Sequence, residues 1–390
     1  MQSATSPLDG EGHGTPTSST AAGNFVEGAN LLGNANGTAV GIAPRAHMAM
    51  YRVCDSGCKD SDILVSLDAA IKDGVDVISI SLGTTVALPL YSDVLAIGSY
   101  SVISKGIFVS ASTRNLGPNN CTVINGAPWI FNVAPSTTDQ KISAVAMLGN
   151  GVEYKGESVF QPTNFSQNLL SLVNGDSCLS LSTDVKDVRV LPATHVTYGG
   201  GQKILKYINS TSAPVATISL KGTRIEDKYA PTIAYFSVRG PFRISRGILK
   251  PDISAPGVNI LAVWTSTSAT ASKSTIITTA NLVNLDNNPI QDEILNLAAP
   301  FSMGSGHVNP SRATDPRLIY DIHPEDYVSY LCGLKYTDQQ VSNITKRKVH
   351  CTSSTPESKL NYPLFSVTME SAPQTFTRTV TNVGEVNQHT

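Results

Sequence analysis

SDILVSLDAAIKDGVDVISISLG, residues 61–83, reads as a helix running straight into a buried strand. Ile63, Leu64, Leu67, Ala70 and Ile71 recur at helical spacing, and Asp60 and Ser61 are good cap residues, which predicts a helix over Asp60–Lys72. VDVISISL, residues 75–82, is a β-branched run of the kind a sheet buries on both faces. Working outward, Ala46–Val53 is an apolar run of strand length, Tyr91–Ser104 a second helix, and Ile107–Ser112 and Trp129–Pro135 two more strands. Strand alternating with helix is the pattern of a parallel sheet covered by helices. Residues 46–53, 75–82 and 107–112 are therefore expected to be adjacent and parallel.

The texture changes farther along. From about 150 to 222, short segments, Gly199-Gly200-Gly201 and Asn209-Ser210-Thr211 suggest a separate β-rich insert. Residues 223–264 return to strand and loop, with Gly-Pro punctuation, and 265–299 are polar and Ser/Thr-rich, a poor core. Thr368–Val383 alternates enough to begin a β-sandwich, and no internal repeat is visible.

Composition bounds the function. The 390 residues are 41% hydrophobic and 15% charged, with a net charge of -2, which suits a globular chain and implies no nucleic-acid partner. No stretch approaches the ~20 apolar residues of a membrane span. The six cysteines include no C-x-x-C pair and match no zinc site, so neither metal nor cofactor is expected. The N-x-[ST] triplets at Asn36, Asn120, Asn164, Asn209 and Asn343 lean toward a secreted glycoprotein, in which cysteines are candidates for disulfides. Met1-Gln2-Ser3-Ala4 nevertheless opens no signal peptide, as though the front were missing.

One motif carries chemistry. DGEGHGT, residues 9–15, runs into TSSTAAG, residues 17–23. A histidine between glycines, followed by small residues, can open a helix packed under a cleft, and imidazole can take a proton from a nucleophile. The same letters also describe a histidine in a glycine-rich loop.

The histidine block resembles that of plant subtilases, the subtilisin-like serine proteases. The resemblance continues in order through GTAVGIAPRAHMAMYRVC, SDILVSLDAAIKDGVDVISISLG, SVISKGIFVSAS, GAPWIFNVAPSTTDQKI, LPATHVTYGGGQKILKYINST, FSVRGP, GILKPDISAPGVNILAVW, GSGHVNPSRATDPRLIYD and QTFTRTVTNVGE. It implies an α/β fold: a subtilisin-like parallel sheet with flanking helices, a shortened β-rich protease-associated insert and the start of a C-terminal fibronectin-III-like β-sandwich. The implied division is 1–160 and 223–352 for the two parts of the catalytic domain, 161–222 for the insert and 353–390 for the start of the sandwich.

The resemblance assigns His13 as general base and Asn115 as oxyanion donor. Where the family has Ala-Gly-Asn-x-Gly-Pro, this chain has Thr113-Arg114-Asn115-Leu116-Gly117-Pro118, and Arg114 weighs against a working donor because glycine permits backbone shapes that a bulky side chain opposes. Pro16 stands where a second histidine is usual. The triad aspartate of the family lies far upstream of the histidine, and Asp9 reads as a turn residue instead. The nucleophile should follow GVNILAVW in a Gly-Thr-Ser-Met block; here Ser266 and Ser272–Ala280 follow, as if a few dozen residues had been removed. Ser302-Met303-Gly304-Ser305-Gly306-His307 imitates the serine spacing, but Asn309-Pro310 ends any helix there. The resemblance also implies Cys54–Cys58 and Cys332–Cys351 disulfides, leaves Cys178 and Cys121 without assigned partners, and makes His195 structural. It implies peptide or protein substrates and a secreted, extracellular or cell-wall location. Two readings follow: a secreted serine endopeptidase, or a non-catalytic relative, the product of a degenerate gene, that at most binds peptides.

Overall fold

The computed structural model describes residues 9, 12–54, 57–162, 168–173, 193–225, 227–260, 262, 277–369 and 373–384. The first elements are a short helix, α1 (Gly14–Ala22), and an antiparallel hairpin, β1 (Val26–Leu31) with β2 (Asn34–Ala39). Then comes the stretch that set the fold. α2 (Asp60–Asp73) turns Ile63, Leu67 and Ala70 inward, and Asp60 and Asp62 in its first turn favour the positive end of the helix dipole. Its cap position is Lys59, one residue earlier than the sequence suggested, and no side chain caps it. It ends at Gly74, whose φ of 71° is the left-handed conformation that glycine adopts at little cost.

The chain passes directly into β3 (Val77–Ile80). α3 (Val94–Ile103) follows, shorter than its sequence pattern because the Asp93 carboxylate accepts from the N–H groups of Leu95 at 2.9 Å and Ala96 at 3.3 Å and fixes the start. β4 (Phe108–Ser112) and β5 (Phe131–Ser136) complete the first half of the sheet. An antiparallel sheet then interrupts: β6 (Lys141–Leu148), β7 (Glu153–Glu157), β8 (Leu170–Ser171), β9 (His195–Val196), helix α4 (Tyr198–Ser210) and β10 (Val215–Arg224), in the spatial order β8-β10-β6-β7-β9. Its long strands are β6, which begins well before residue 161, and β10, which runs two residues past the end of the region the sequence marked as an insert.

β11 (Ile253–Pro256) returns to the first sheet, whose order is β11-β5-β4-β3 with every neighbouring pair parallel. The last elements are single-turn helices α5 (Pro300–Met303) and α6 (Pro310–Ala313), β12 (Leu318–Ile319), α7 (Asp326–Gly333), α8 (Asp338–Thr345) and β13 (Thr381–Asn382). β13 pairs with β12, which is the only strand pairing the 368–383 stretch makes among the described residues.

One expected strand is absent. Ala46–Val53 forms no ladder, and β3 is the edge of the sheet. An apolar run of strand length does not supply a backbone partner, and only Val53 of this run packs against the main core. The polar 265–299 region contributes more than expected. Its described part buries Ile277 beside Phe131 and Ile253, and packs Ile290 and Ala298 on Ile233. Two turns of like geometry stack there, with Ile290 N–H donating to Leu282 O and Ala298 N–H to Ile290 O, an eight-residue repeat that the letters conceal.

The core lies between α2, α3, the sheet and the C-terminal segment. The Trp129 indole donates to Ala96 O at 3.0 Å and packs edge-on against Tyr100 and Tyr327. Leu331 and Tyr330 from α7, and Leu360 and Tyr362 beyond it, are buried in the same cluster.

Candidate active site

His13 occupies the cap position of α1, is exposed, and its imidazole makes no hydrogen bond to any described residue. Asp9 does not orient it. The Asp9 carboxylate accepts from Gly12 N–H at 2.8 Å, Thr15 N–H at 2.9 Å and Thr15 Oγ1 at 2.6 Å, which makes it a turn and helix-start carboxylate. The small residues after the histidine do pack closely. Gly23 and Gly41 meet so tightly that a Cβ on Gly41 would fall 2.1 Å from Gly23 N. That contact joins α1 to the strand-to-loop segment after β2, and the buried residues of α1, Ser19 and Ala22, stand outside the sheet core.

Asn115 sits just past the C-terminal end of β4, where open α/β sheets place their sites. It is exposed, and its side chain bonds no described residue. Arg114 before it has φ 86°, so the backbone keeps a left-handed shape with an arginine in it. The arginine side chain reaches back, Nη1 donating to Thr84 O just beyond β3. Below it, the buried Asn125 amide donates to Leu82 O at 2.8 Å and Ser112 O at 3.0 Å. The ends of β3 and β4 are thus tied at two levels. Gly117 continues the loop where a Cβ would fall 1.9 Å from Ser237 O, so only glycine fits against the FSVRGP segment. Among the described residues no hydrogen bond joins His13 to Asn115, each side chain being exposed.

The imitation serine is occupied elsewhere. Ser302 is 2% exposed and its hydroxyl donates to Ala299 O at 2.7 Å within α5. That helix stops after one turn at Gly304, whose Cβ would fall 2.3 Å from Asp252 O. His307 is held by backbone pairing to Asn281 and Ser254 and makes no bond to Ser302. Burial lowers the His307 imidazole below the usual histidine range, which disfavours it as a proton acceptor. Ser266 and Ser272 lie outside the described residues, as does Cys178. His195 is half-buried in β9 opposite Glu157, a strand position.

Both implied disulfides form, Cys54–Cys58 with Cα atoms 4.2 Å apart and Cys332–Cys351 at 5.7 Å, and Cys121 is a free thiol. Among the described residues no three His, Cys, Asp or Glu side chains converge as a metal site, and no helix is long and apolar enough to cross a membrane.

The most elaborate polar cluster was not read as one from the sequence. Lys250 and Asp252 have side chains 0% exposed and pair at 2.7 Å. The ammonium also donates to Ile130 O at 2.9 Å and Tyr362 Oη at 3.0 Å, while Asp252 accepts from Asn132 N–H at 2.8 Å and from the Tyr362 hydroxyl. Every member thereby has a partner, as a buried charge requires. The only signal available was two charges, Lys250 and Asp252, flanking Pro251 in an otherwise apolar stretch.

Comparison with known proteins agrees with the resemblance. The Subtilase family profile matches residues 2–287. Subtilisin-like protease SBT1.7 of Arabidopsis thaliana is 36% identical, the match covering 97% of this chain and 63% of the relative. Subtilisin-like protease SBT3 of Solanum lycopersicum is 35% identical over 97% of this chain and 62% of its own length. The chain thus spans under two thirds of the curated relatives it matches. The first alignment runs over 480 residues against a chain of 390, so it contains gaps on this chain's side. Among solved structures, sphericase aligns with 23% identity over 37% of this chain and 43% of its own, at a TM-score of 0.25, too low to carry an argument. On the profile match and the extent of these identities, the chain belongs to the subtilase family.

Proposed function

We propose that this chain is a subtilase that does not hydrolyse peptide bonds. Subtilases act on peptide or protein substrates, and covalent hydrolysis requires a nucleophile in hydrogen-bond reach of an oriented base. The observation that carries the proposal is the state of His13: exposed, without a hydroxyl or carboxylate bonded to its ring among the described residues. Ser302, buried and bonded to Ala299, supports it. So do the gaps in the alignment, which suit a chain shortened internally where the serine block belongs. Without a serine nucleophile little remains but residual acceleration from an oxyanion donor, and Arg114 at φ 86° burdens that donor too. The two disulfides support a secreted, glycosylated product. We assign the antiparallel sheet to the protease-associated insert and the 368–383 stretch to the start of a fibronectin-III-like sandwich.

A fluorophosphonate probe tests the proposal. The purified, folded chain is expected to stay unlabelled. Labelling lost on Ser302→Ala, or mapped to Ser266 or Ser272, would return the protein to the active endopeptidases.

A further inference from the structure

We propose that Asn120 is an N-glycosylation site and that its glycan stands on the loop carrying Asn115. Asn120-Cys121-Thr122 is an acceptor triplet. Asn120 is exposed in a turn, and its side-chain amide bonds no described residue. The loop around it is anchored by backbone: Gly117 N–H donates to Phe236 O at 2.8 Å, Cys121 N–H to Gly240 O at 3.2 Å and Thr122 N–H to Arg239 O at 3.1 Å. A sugar on Asn120 is therefore held at a fixed place on the surface, five positions along the same loop from Asn115.

The other triplets are placed differently. Asn343 lies within α8, its Oδ1 taken by Gln339 at 2.9 Å and its neighbour Ile344 fully buried. Asn209 is in the last turn of α4, Asn36 is on β2, and Asn164 is outside the described residues. Only Asn120 lies on a loop that carries a site residue. In the folded chain the Thr122 hydroxyl is engaged, donating to Asn119 O at 2.7 Å and accepting from Arg239 N–H at 3.3 Å. The sugar consequently arrives before this loop docks on the 236–240 segment.

The chemistry is a glycosyl transfer in the secretory compartment, and it rests on the secretory reading above. The Asn120 Nδ2 attacks the anomeric carbon of a lipid-linked diphospho-oligosaccharide. A C–N bond forms, the bond from that carbon to the phosphate oxygen breaks, the lipid diphosphate leaves, and the transferase takes one amide proton. The attached chain obstructs any peptide or protein approaching Asn115.

The test uses the full chain, fused behind a cleavable export signal and expressed in leaf tissue. Release of glycans by a peptide N-glycosidase in heavy-oxygen water converts each occupied asparagine to labelled aspartate, which peptide mass spectrometry locates. Label at Asn120 is expected, retained in Thr122→Ser and lost in Thr122→Ala and Asn120→Gln. An unlabelled Asn120 peptide alongside labelled Asn36 or Asn209 would overturn the proposal while leaving secretion intact. No label at any triplet, with Cys54–Cys58 and Cys332–Cys351 recovered as disulfides, would overturn the proposal, and the same cysteines recovered as thiols would overturn the secretory reading with it. The mapping of the unmutated chain decides the matter even if a variant fails to fold.

Discussion

The region that carries Asn115 and the region that carries His13 both resemble the family in sequence but sit in unlike surroundings. Asn115 emerges from a four-stranded parallel sheet backed by Leu95, Tyr100 and Trp129, and its loop is clamped by Gly117 and Asn125. His13 opens a nine-residue helix whose neighbours include Phe25, 58% exposed, and Ile42, 82% exposed. A motif preserves its letters independently of the packing that once aimed its side chains. Precise placement comes from neighbours that fill the space around a group, and among the described residues His13 is exposed.

The contrast predicts a steep difference in sensitivity to mutation. Asp252→Ala strands the Lys250 ammonium in the core of the sheet side and is expected to cost about 3–5 kcal/mol, read as a lowered urea midpoint. A loss under about 1 kcal/mol would mean that water reaches this cluster and that the sheet side is no tighter than the other.

A middle-sized effect tests the loop that carries Asn115. Arg114→Ala and Arg114→Gly both remove the bond to Thr84, so their difference isolates the backbone. At an ordinary position glycine is the less stable of the two by about 0.4–1 kcal/mol through unfolded-state entropy. At φ 86° the order should reverse, glycine leading by roughly 1 kcal/mol, because a side chain in the left-handed region costs about 1–2 kcal/mol. Alanine remaining the more stable would show that Arg114 bears no strain.

The smallest effect belongs to the histidine. His13→Ala should change stability by no more than about 0.5 kcal/mol in the same urea titration, as exposed substitutions do. A larger loss would reveal packing around the imidazole and narrow the contrast between the two regions.

What could be read from the letters follows the same division. The helix at 60–73 and the strand after it were legible because periodicity, acidic first turn and terminal glycine agree. Ala46–Val53 misled because an apolar run of strand length says nothing about which backbone lies alongside. The stacked turns at 282–298 were hidden because Asn284 and Asp292 make the same local bonds with different side chains, Oδ1 accepting from N–H groups two and four residues on. Glycine's usual place before Asn115 was legible, and the retained positive φ at Arg114 is what that reading required. The Lys250–Asp252–Tyr362 cluster was not, since its third member is separated from the first by 112 positions and only folding brings them together.

That separation has a consequence for how the protein is made. Lys250 and Asp252 leave the ribosome with the last strand of the sheet, but the hydroxyl that satisfies both of them follows 112 residues later. At roughly 5–20 residues per second the interval is on the order of ten seconds. Throughout it the nascent chain holds a polar pair that lacks its third partner, and that side of the sheet is open to solvent and chaperones. Closure of the interior thereby waits on the C-terminal segment that brings Tyr330, Leu331, Leu360 and Tyr362 to the core.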